Sequence, residues 1–183
     1  MSMEAFNAGL PGKYGDQVYG CLFCRTGKEK RIAAEIEAEG AGVRVIFPEK
    51  LRKRRQGGSA IEESVPLFPG YLFFRTDAEY DAQPLGRKTD VYRLLRDSEG
   101  TWHLRGADLI LARGLFEQNG VVGFSKAYFE GDRIRITDGL LKTYEGQIIR
   151  VNRRSQTAQI ALGVGGREVT VWLGFELIER NEH

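Results

Sequence analysis

The spacing of apolar positions changes along the chain, and each change marks an element. Val18 to Cys24 (VYGCLFC) is a short, nearly continuous apolar run that reads as a strand. Thr26-Gly27-Lys28-Glu29 follows with the T-x-x-E pattern of a capping box, which predicts a helix start. Ile32, Ala33 and Ile36 then form one apolar stripe among Lys, Arg and Glu, and Gly40 supplies the stop. Val43 to Pro48 predicts a second strand. The next run, Lys50 to Ser59 (KLRKRRQGGS), is basic and then loses all hydrophobicity, so it reads as a solvated loop. Tyr71 to Arg75 predicts a strand, Asp77 to Leu85 a short helix weakened by Pro84, and Val91 to Arg96 another strand closed by a turn at Asp97-Ser98-Glu99-Gly100. Leu109, Ile110, Leu111, Leu115 and Phe116 give a helix over Asp108 to Phe116.

Between Glu117 and Tyr128 the text EQNGVVGFSKAY has no sustained period and no strong cap, and it reads as a linker. Beyond it come short alternating strands at Arg133–Ile136, Gln147–Asn152, Ala158–Leu162, Glu168–Leu173 and Phe175–Ile178, separated by turn residues, which suggest a small closed barrel. The resulting division is a loose tail at 1–17, a mixed domain at 18–116, a linker at 117–128 and a barrel at 129–181.

Composition narrows the class. With 42% hydrophobic and 28% charged residues the chain is an ordinary globular protein of one or two small domains. Residues 1–17 carry no apolar block long enough to cross a bilayer, so neither secretion nor membrane insertion is expected. A net charge of +2 argues no polyanion partner for the whole molecule, so the electrostatic case rests on local clusters. One is Lys50, Arg52, Lys53, Arg54 and Arg55, suited to phosphate contacts. The other runs from Arg133 to Arg167, where Arg133, Arg135, Lys142, Arg150, Arg153, Arg154 and Arg167 outnumber Asp138 and Glu145 by five charges. Alternation puts Arg133 and Arg135 on an outer face with Ile134 and Ile136 inward, and Tyr144 lies nearby. Such a surface suits backbone contacts and stacking with structured RNA, although exposed arginines on a small barrel are also common without a ligand.

Cys21 and Cys24 spell C-x-x-C, yet on a strand positions i and i+3 face opposite ways about 10 Å apart, too far for a disulfide. Two reduced thiols are expected, with no metal, cofactor or redox chemistry. Gly163-Val164-Gly165-Gly166 lacks the Lys-Ser/Thr of a phosphate loop. No His/Asp/Glu cluster supports a nuclease or any other enzyme.

The densest aromatic stretch is Val65-Pro66-Leu67-Phe68-Pro69-Gly70-Tyr71-Leu72-Phe73-Phe74. Pro69-Gly70 predicts a tight turn with Gly at positive φ, Phe68 before it and Tyr71 beginning the strand after it. Tyr71 and Phe73 then point to one face, and Leu72 and Phe74 to the other. If helices cover only one side of the sheet, an aromatic row stays open as a partner surface; a strand covered on both faces is the plainer alternative.

Phe68-Pro69-Gly70-Tyr71 after a basic segment, and Gly131-Asp132-Arg133-Ile134-Arg135-Ile136-Thr137-Asp138-Gly139 running to Glu145-Gly146, together resemble the NusG family of transcription elongation factors over about Val18 to Glu179. Arg25-Thr26-Gly27-Lys28-Glu29, Pro66-Leu67-Phe68-Pro69-Gly70-Tyr71 and Leu173-Gly174-Phe175-Glu176 are similar to its operon-dedicated LoaP branch. The resemblance implies an α+β fold in which an antiparallel sheet flanked by helices is joined by a flexible linker to an SH3-like KOW barrel. It implies no catalysis, no cofactor and a monomer in the bacterial cytoplasm. It implies binding of the RNA polymerase clamp helices through Phe68 and its surroundings, here Tyr19, Phe68, Pro69, Gly70 and Tyr71, with Phe68 exposed. The basic loop is expected to meet DNA or emerging RNA, and the barrel a hairpin in the nascent transcript. The function implied is suppression of pausing and termination on particular operons. The alternative is a general factor coupling polymerase to Rho or the ribosome. Two departures bear on that choice. Leu140 stands where the family has Pro in Asp-Gly-Pro, loosening the turn, and Gly165 stands where general factors present an aromatic to Rho or the ribosome, while Tyr144 keeps an aromatic at a second contact position.

Overall fold

The computed structural model describes residues 17–179, so the expected tail lies outside the described residues except for Gln17, which opens the first strand. The amino-terminal part runs β1 (Gln17–Cys24), α1 (Glu29–Ala38), β2 (Arg44–Ile46), β3 (Glu49–Gln56), β4 (Ser59–Pro66), β5 (Tyr71–Asp77), β6 (Val91–Leu94) and α2 (Gly106–Glu117). After it come β7 (Val121–Val122), β8 (Ser125–Glu130), β9 (Arg133–Asp138), the single turn α3 (Leu140–Thr143), β10 (Ile148–Asn152), β11 (Thr157–Val164) and β12 (Arg167–Leu177). The class is α+β, with several sheets and few helices.

The central sheet is antiparallel in the order β2-β5-β1-β6. Because side chains alternate across a strand, Leu22, Cys24, Leu72 and Phe74 go to one face, where Ile32 and Ile36 of α1 close a first core. Tyr19, Cys21 and Phe73 go to the other face and join a second, larger core. Cys21 and Cys24 are thus free, buried and on opposite faces, and burial pushes both thiols up, Cys24 to about 11.

The capping box does not form. Lys28 is the N-cap of α1, without a side-chain cap bond, and Glu29 is buried. Its carboxylate accepts the Gly27 N–H at 2.6 Å and the Gly70 N–H at 2.9 Å, tying the start of α1 to the turn before β5. The helix expected over Asp77 to Leu85 is a 3-10 turn at Gln83–Arg87 with Pro84 in its first turn.

The basic run is a hairpin and not a loop. β3 and β4 pair from Glu49↔Pro66 to Gln56↔Ser59, and Gly57-Gly58 between them, both at positive φ, make the two-residue turn that such a ribbon needs. The expected linker also carries ordered structure: β7 pairs in parallel with β3 through Glu49↔Val121 and Lys50↔Val122, and β8 begins at Ser125, ahead of the boundary expected at 129. β8 to β12 form a five-stranded sheet in the order β10-β11-β12-β8-β9. β12 is one strand of 11 residues where the sequence suggested two, because Gly174 continues the extended backbone. Coiling puts Ala127, Ile136, Ala158, Ile160, Leu162, Val171, Leu173 and Phe175 inside, as expected for a KOW half-barrel.

Candidate functional site

The turn at residues 68–71 has the expected geometry. Tyr71 N–H donates to Phe68 O at 3.1 Å, Gly70 lies at φ +84, and Glu29 holds the Gly70 N–H. What differs is exposure. Phe68 is 2% exposed and Tyr19 1%, so the sequence expectation of an open Phe68 is overturned; Phe73 is buried as well. Pro69 is exposed and Tyr71 half-buried.

Both faces of the sheet are covered. On the second face α2 brings Phe116 edge-on to Tyr19 at 5.5 Å, with the Arg113 guanidinium 6.0 Å from the Tyr19 ring. The same buried cluster continues from Tyr19, Phe68 and Phe73 through Leu111 and Leu115 of α2 into Ile136, Leu140, Tyr144 and Leu162 of the barrel. The two parts therefore share one core across the face that the sequence left open.

Polar and steric contacts fasten this closure. Gly165, at the β11–β12 tip, lies against Leu95: a Cβ there would come within 2.5 Å of Leu95 Cδ1. The Asp108 carboxyl of α2 lies by the Gly165 backbone, and burial pushes it above the usual carboxylate range. Leu140 reaches α2 beside Gly114, where a Cβ would stand 3.0 Å from its Cδ1. Lys50 Nζ donates to Trp172 O at 2.6 Å, and burial pushes its pKa down. Lys53 pairs with Glu176 at 3.2 Å and sits 4.8 Å over the Phe124 ring.

The basic residues are only partly free for phosphate. On the hairpin, Arg52 and Arg54 both pair with Glu63, at 2.7 and 3.5 Å, and Lys50 and Lys53 face the barrel; Arg55 is exposed. On the barrel, Arg133, Arg135, Arg150, Arg153, Arg154 and Arg167 are all exposed, as alternation predicted for Arg133 and Arg135. Arg135 pairs with Glu130 at 3.0 Å, and Lys142 donates to Ile136 O while lying 3.7 Å from Glu145. Arg153 bonds Gly131 O and Asp132 and stacks 4.0 Å over Phe129. Tyr144 does not join this surface. It is buried, and burial, followed by the charge of Asp108, pushes its hydroxyl up to about 12.

Three residues that matter here escaped the sequence reading. Glu29 was visible within the T-x-x-E pattern, but as a cap. Leu95 and Asp108 looked like ordinary strand-end and helix residues, since nothing local tells that a distant hairpin tip rests on them.

Residues 19–109 match the family model NusG, described as transcription termination factor nusG. The Thermus thermophilus transcription termination/antitermination protein NusG is 26% identical over 164 residues, covering 82% of this chain and 86% of its own length. The Deinococcus radiodurans protein of the same name is 24% identical, covering 69% of this chain and 74% of its own. The Synechocystis one is 26% identical, covering 70% and 68%. A solved structure concerned with domain interaction in Thermotoga maritima NusG is 17% identical, with a TM-score of 0.47 over 88% of this chain and 96% of that one. Among the described residues no helix is long and apolar enough to cross a membrane.

Proposed function

We propose that this chain, which matches the NusG family model over residues 19–109 and NusG proteins at 24–26% identity, is a LoaP-type antitermination factor whose amino-terminal face grips RNA polymerase and whose basic barrel takes nascent RNA. Tyr19, Phe68, Pro69, Gly70 and Tyr71 form the polymerase surface, docking on the clamp helices. Arg133, Arg135, Arg150, Arg153, Arg154 and Arg167 form the RNA surface, with Arg55 of the hairpin and the remaining basic residues joining once freed from their partners. No bond chemistry is involved: binding biases the polymerase away from its paused conformation, a population shift.

The observation that carries this reading is the shared core, in which Tyr19 and Phe68 lie in one buried cluster with the barrel. A factor meant for selected operons gains from hiding its polymerase surface, since apparent affinity falls by the fraction of molecules that are open. The Lys53–Glu176 pair is solvent-exposed and contributes no more than about 1 kcal/mol. Apolar burial therefore provides most of the closure, and RNA captured by the barrel would compete with it.

The test is capture on immobilised core RNA polymerase. Gly165→Ala, which forces the hairpin tip off Leu95, is expected to bind more tightly than the native chain. Equal affinity would mean that the covered face is not the polymerase face. The general-factor reading, coupling to Rho or the ribosome, has Tyr144 and the β11–β12 tip to work with, but one is buried and the other is a glycine packed on Leu95. Failure of Rho to co-purify with the native chain is expected.

A further inference from the structure

The barrel tip does not fill the seam it closes. Beside the contact of Gly165 with Leu95 a cavity of about 320 Å³ remains, walled by side chains of the 95–108 segment and by Gly165 and Gly166 of the tip. Its volume lies at the lower end of the range, about 300–1,000 Å³, in which small molecules are bound. Two cores frame it. Leu95 belongs to the core that the two parts share, and Trp102 packs on the first core, its ring centre 5.4 Å from that of Phe74.

Some polar groups of the wall are already satisfied and others are spare. Asp97 accepts the N–H groups of Glu99 and Thr101, and Arg105 lies 3.3 Å from Glu99 and 3.9 Å from Asp97. Arg96 is held by Gly100 O at 2.8 Å and Gln83 Oε1 at 2.5 Å, yet both acceptors are neutral, so its charge has no carboxylate partner among the described residues. Asp108 is its converse. No cation pairs with it among the described residues, and only the Gly165 backbone offsets its burial. Burial, and after it the charge of Asp108, pushes up both the Cys21 thiol and the Tyr144 hydroxyl, so the field of this carboxylate is felt on either side of the seam. The hydroxyls of Ser98 and Thr101 and the ring nitrogens of His103 have no hydrogen-bond partner among the described residues. An anionic ligand would leave Asp108 facing a like charge, a cationic one would do the same to Arg96, and a neutral one would desolvate both without return. The wall asks for both charges on one molecule, with an apolar body between Leu95 and Trp102.

We propose that this cavity binds a small zwitterion, a free α-amino acid with an apolar side chain. Its ammonium group meets Asp108, its carboxylate meets Arg96, and its side chain lies against Leu95 and Trp102. Because the walls come from both parts of the chain, the ligand binds the closed form and favours it. The site goes beyond the polymerase reading and does not depend on it, since it needs only the closed form and its test contains no polymerase.

The experiment is titration calorimetry and thermal melting of the full chain. The probes are L-phenylalanine and L-leucine, which carry both charges, phenethylamine, which carries only the ammonium, and phenylpropionate, which carries only the carboxylate. Saturable binding of at least one amino acid is expected, with Tm raised by several degrees at about a hundredfold excess over Kd. Each single-charge probe is expected to bind more weakly, on the order of tenfold. Asp108→Asn and Arg96→Gln should each weaken amino-acid binding by a similar factor, and melting of the free variants checks that they fold. Asp108→Asn is the sharper of the two. Removing that charge favours closure, so a residue with only a structural role would leave binding equal or tighter. No saturable binding of either amino acid up to the millimolar range overturns the proposal. It is overturned equally if a single-charge probe binds as tightly as the amino acids, or if either variant binds as tightly as the native chain.

Discussion

Gly165 at the tip of the β11–β12 hairpin and Leu95 just beyond β6 fit together so closely that a single Cβ on Gly165 would stand 2.5 Å from Leu95 Cδ1. The glycine is thus the residue that lets the barrel tip rest on the amino-terminal part.

Gly165→Ala should open the molecule and Gly166→Ala should not. Gly165 and Gly166 both have positive φ, at +57 and +78, so alanine strains the backbone at either place. Only Gly165 has Leu95 in the way, and Gly166 has nothing within 4 Å. Small-angle scattering of the full chain checks this: a larger radius of gyration for Gly165→Ala alone is expected, and equal values for both variants would count against the clasp.

Asp108 makes closure depend on pH. Its carboxyl is raised from an ordinary value of 3.8, burial being the larger cause and the Gly165 backbone acting the other way. The closed form therefore holds the proton more tightly than a solvated carboxylate does. Closure is favoured below the ordinary value and weakens as pH rises through the raised one. Asp108→Asn, which is neutral at every pH, should flatten this dependence and favour closure at neutral pH. Interdomain energy transfer between dyes on the two parts, followed from about pH 4 to 7, measures it.

The sequence announced its local features well and its distant ones poorly. The β1 strand, α1, α2, the 68–71 turn and the split of Leu72 and Phe74 from Tyr71 and Phe73 all follow from period and turn chemistry, which are local. The β3–β4 ribbon was missed because both its faces meet solvent over most of its length, so alternation left no mark; Gly57-Gly58 was its one signal. Coverage of Phe68 was missed for another reason. An apolar surface waiting for an external partner and one already covered by a distant part of the same chain have the same composition.

Glu29 should be worth more to the 68–71 turn than to its helix. Its carboxylate is 3% exposed and serves the N–H groups of Gly27 and Gly70. Glu29→Ala leaves Gly70 N–H buried without an acceptor and should cost about 1–3 kcal/mol. For a domain of this size that lowers Tm by several degrees, on the order of 2–4 °C per kcal/mol. Glu29→Gln keeps one acceptor oxygen and should lose less. Calorimetry of the three proteins provides the comparison, and an unchanged Tm for Glu29→Ala would refute the tie.

The barrel arginines should separate by their neighbours when RNA is titrated. Arg154 has an exposed side chain, while Arg153 is engaged by Gly131 O, Asp132 and the Phe129 ring. Reversing Arg154 to Glu should weaken binding of the leader hairpin of the neighbouring operon and lower the slope of log affinity against log salt by about one unit per lost phosphate contact, with Tm unchanged. Reversing Arg153 should do the same and also lower Tm, because a carboxylate cannot stack on Phe129 and is repelled by Asp132. If neither variant changes the salt slope, the arginine face is a solvated surface and the RNA-binding reading of the barrel fails.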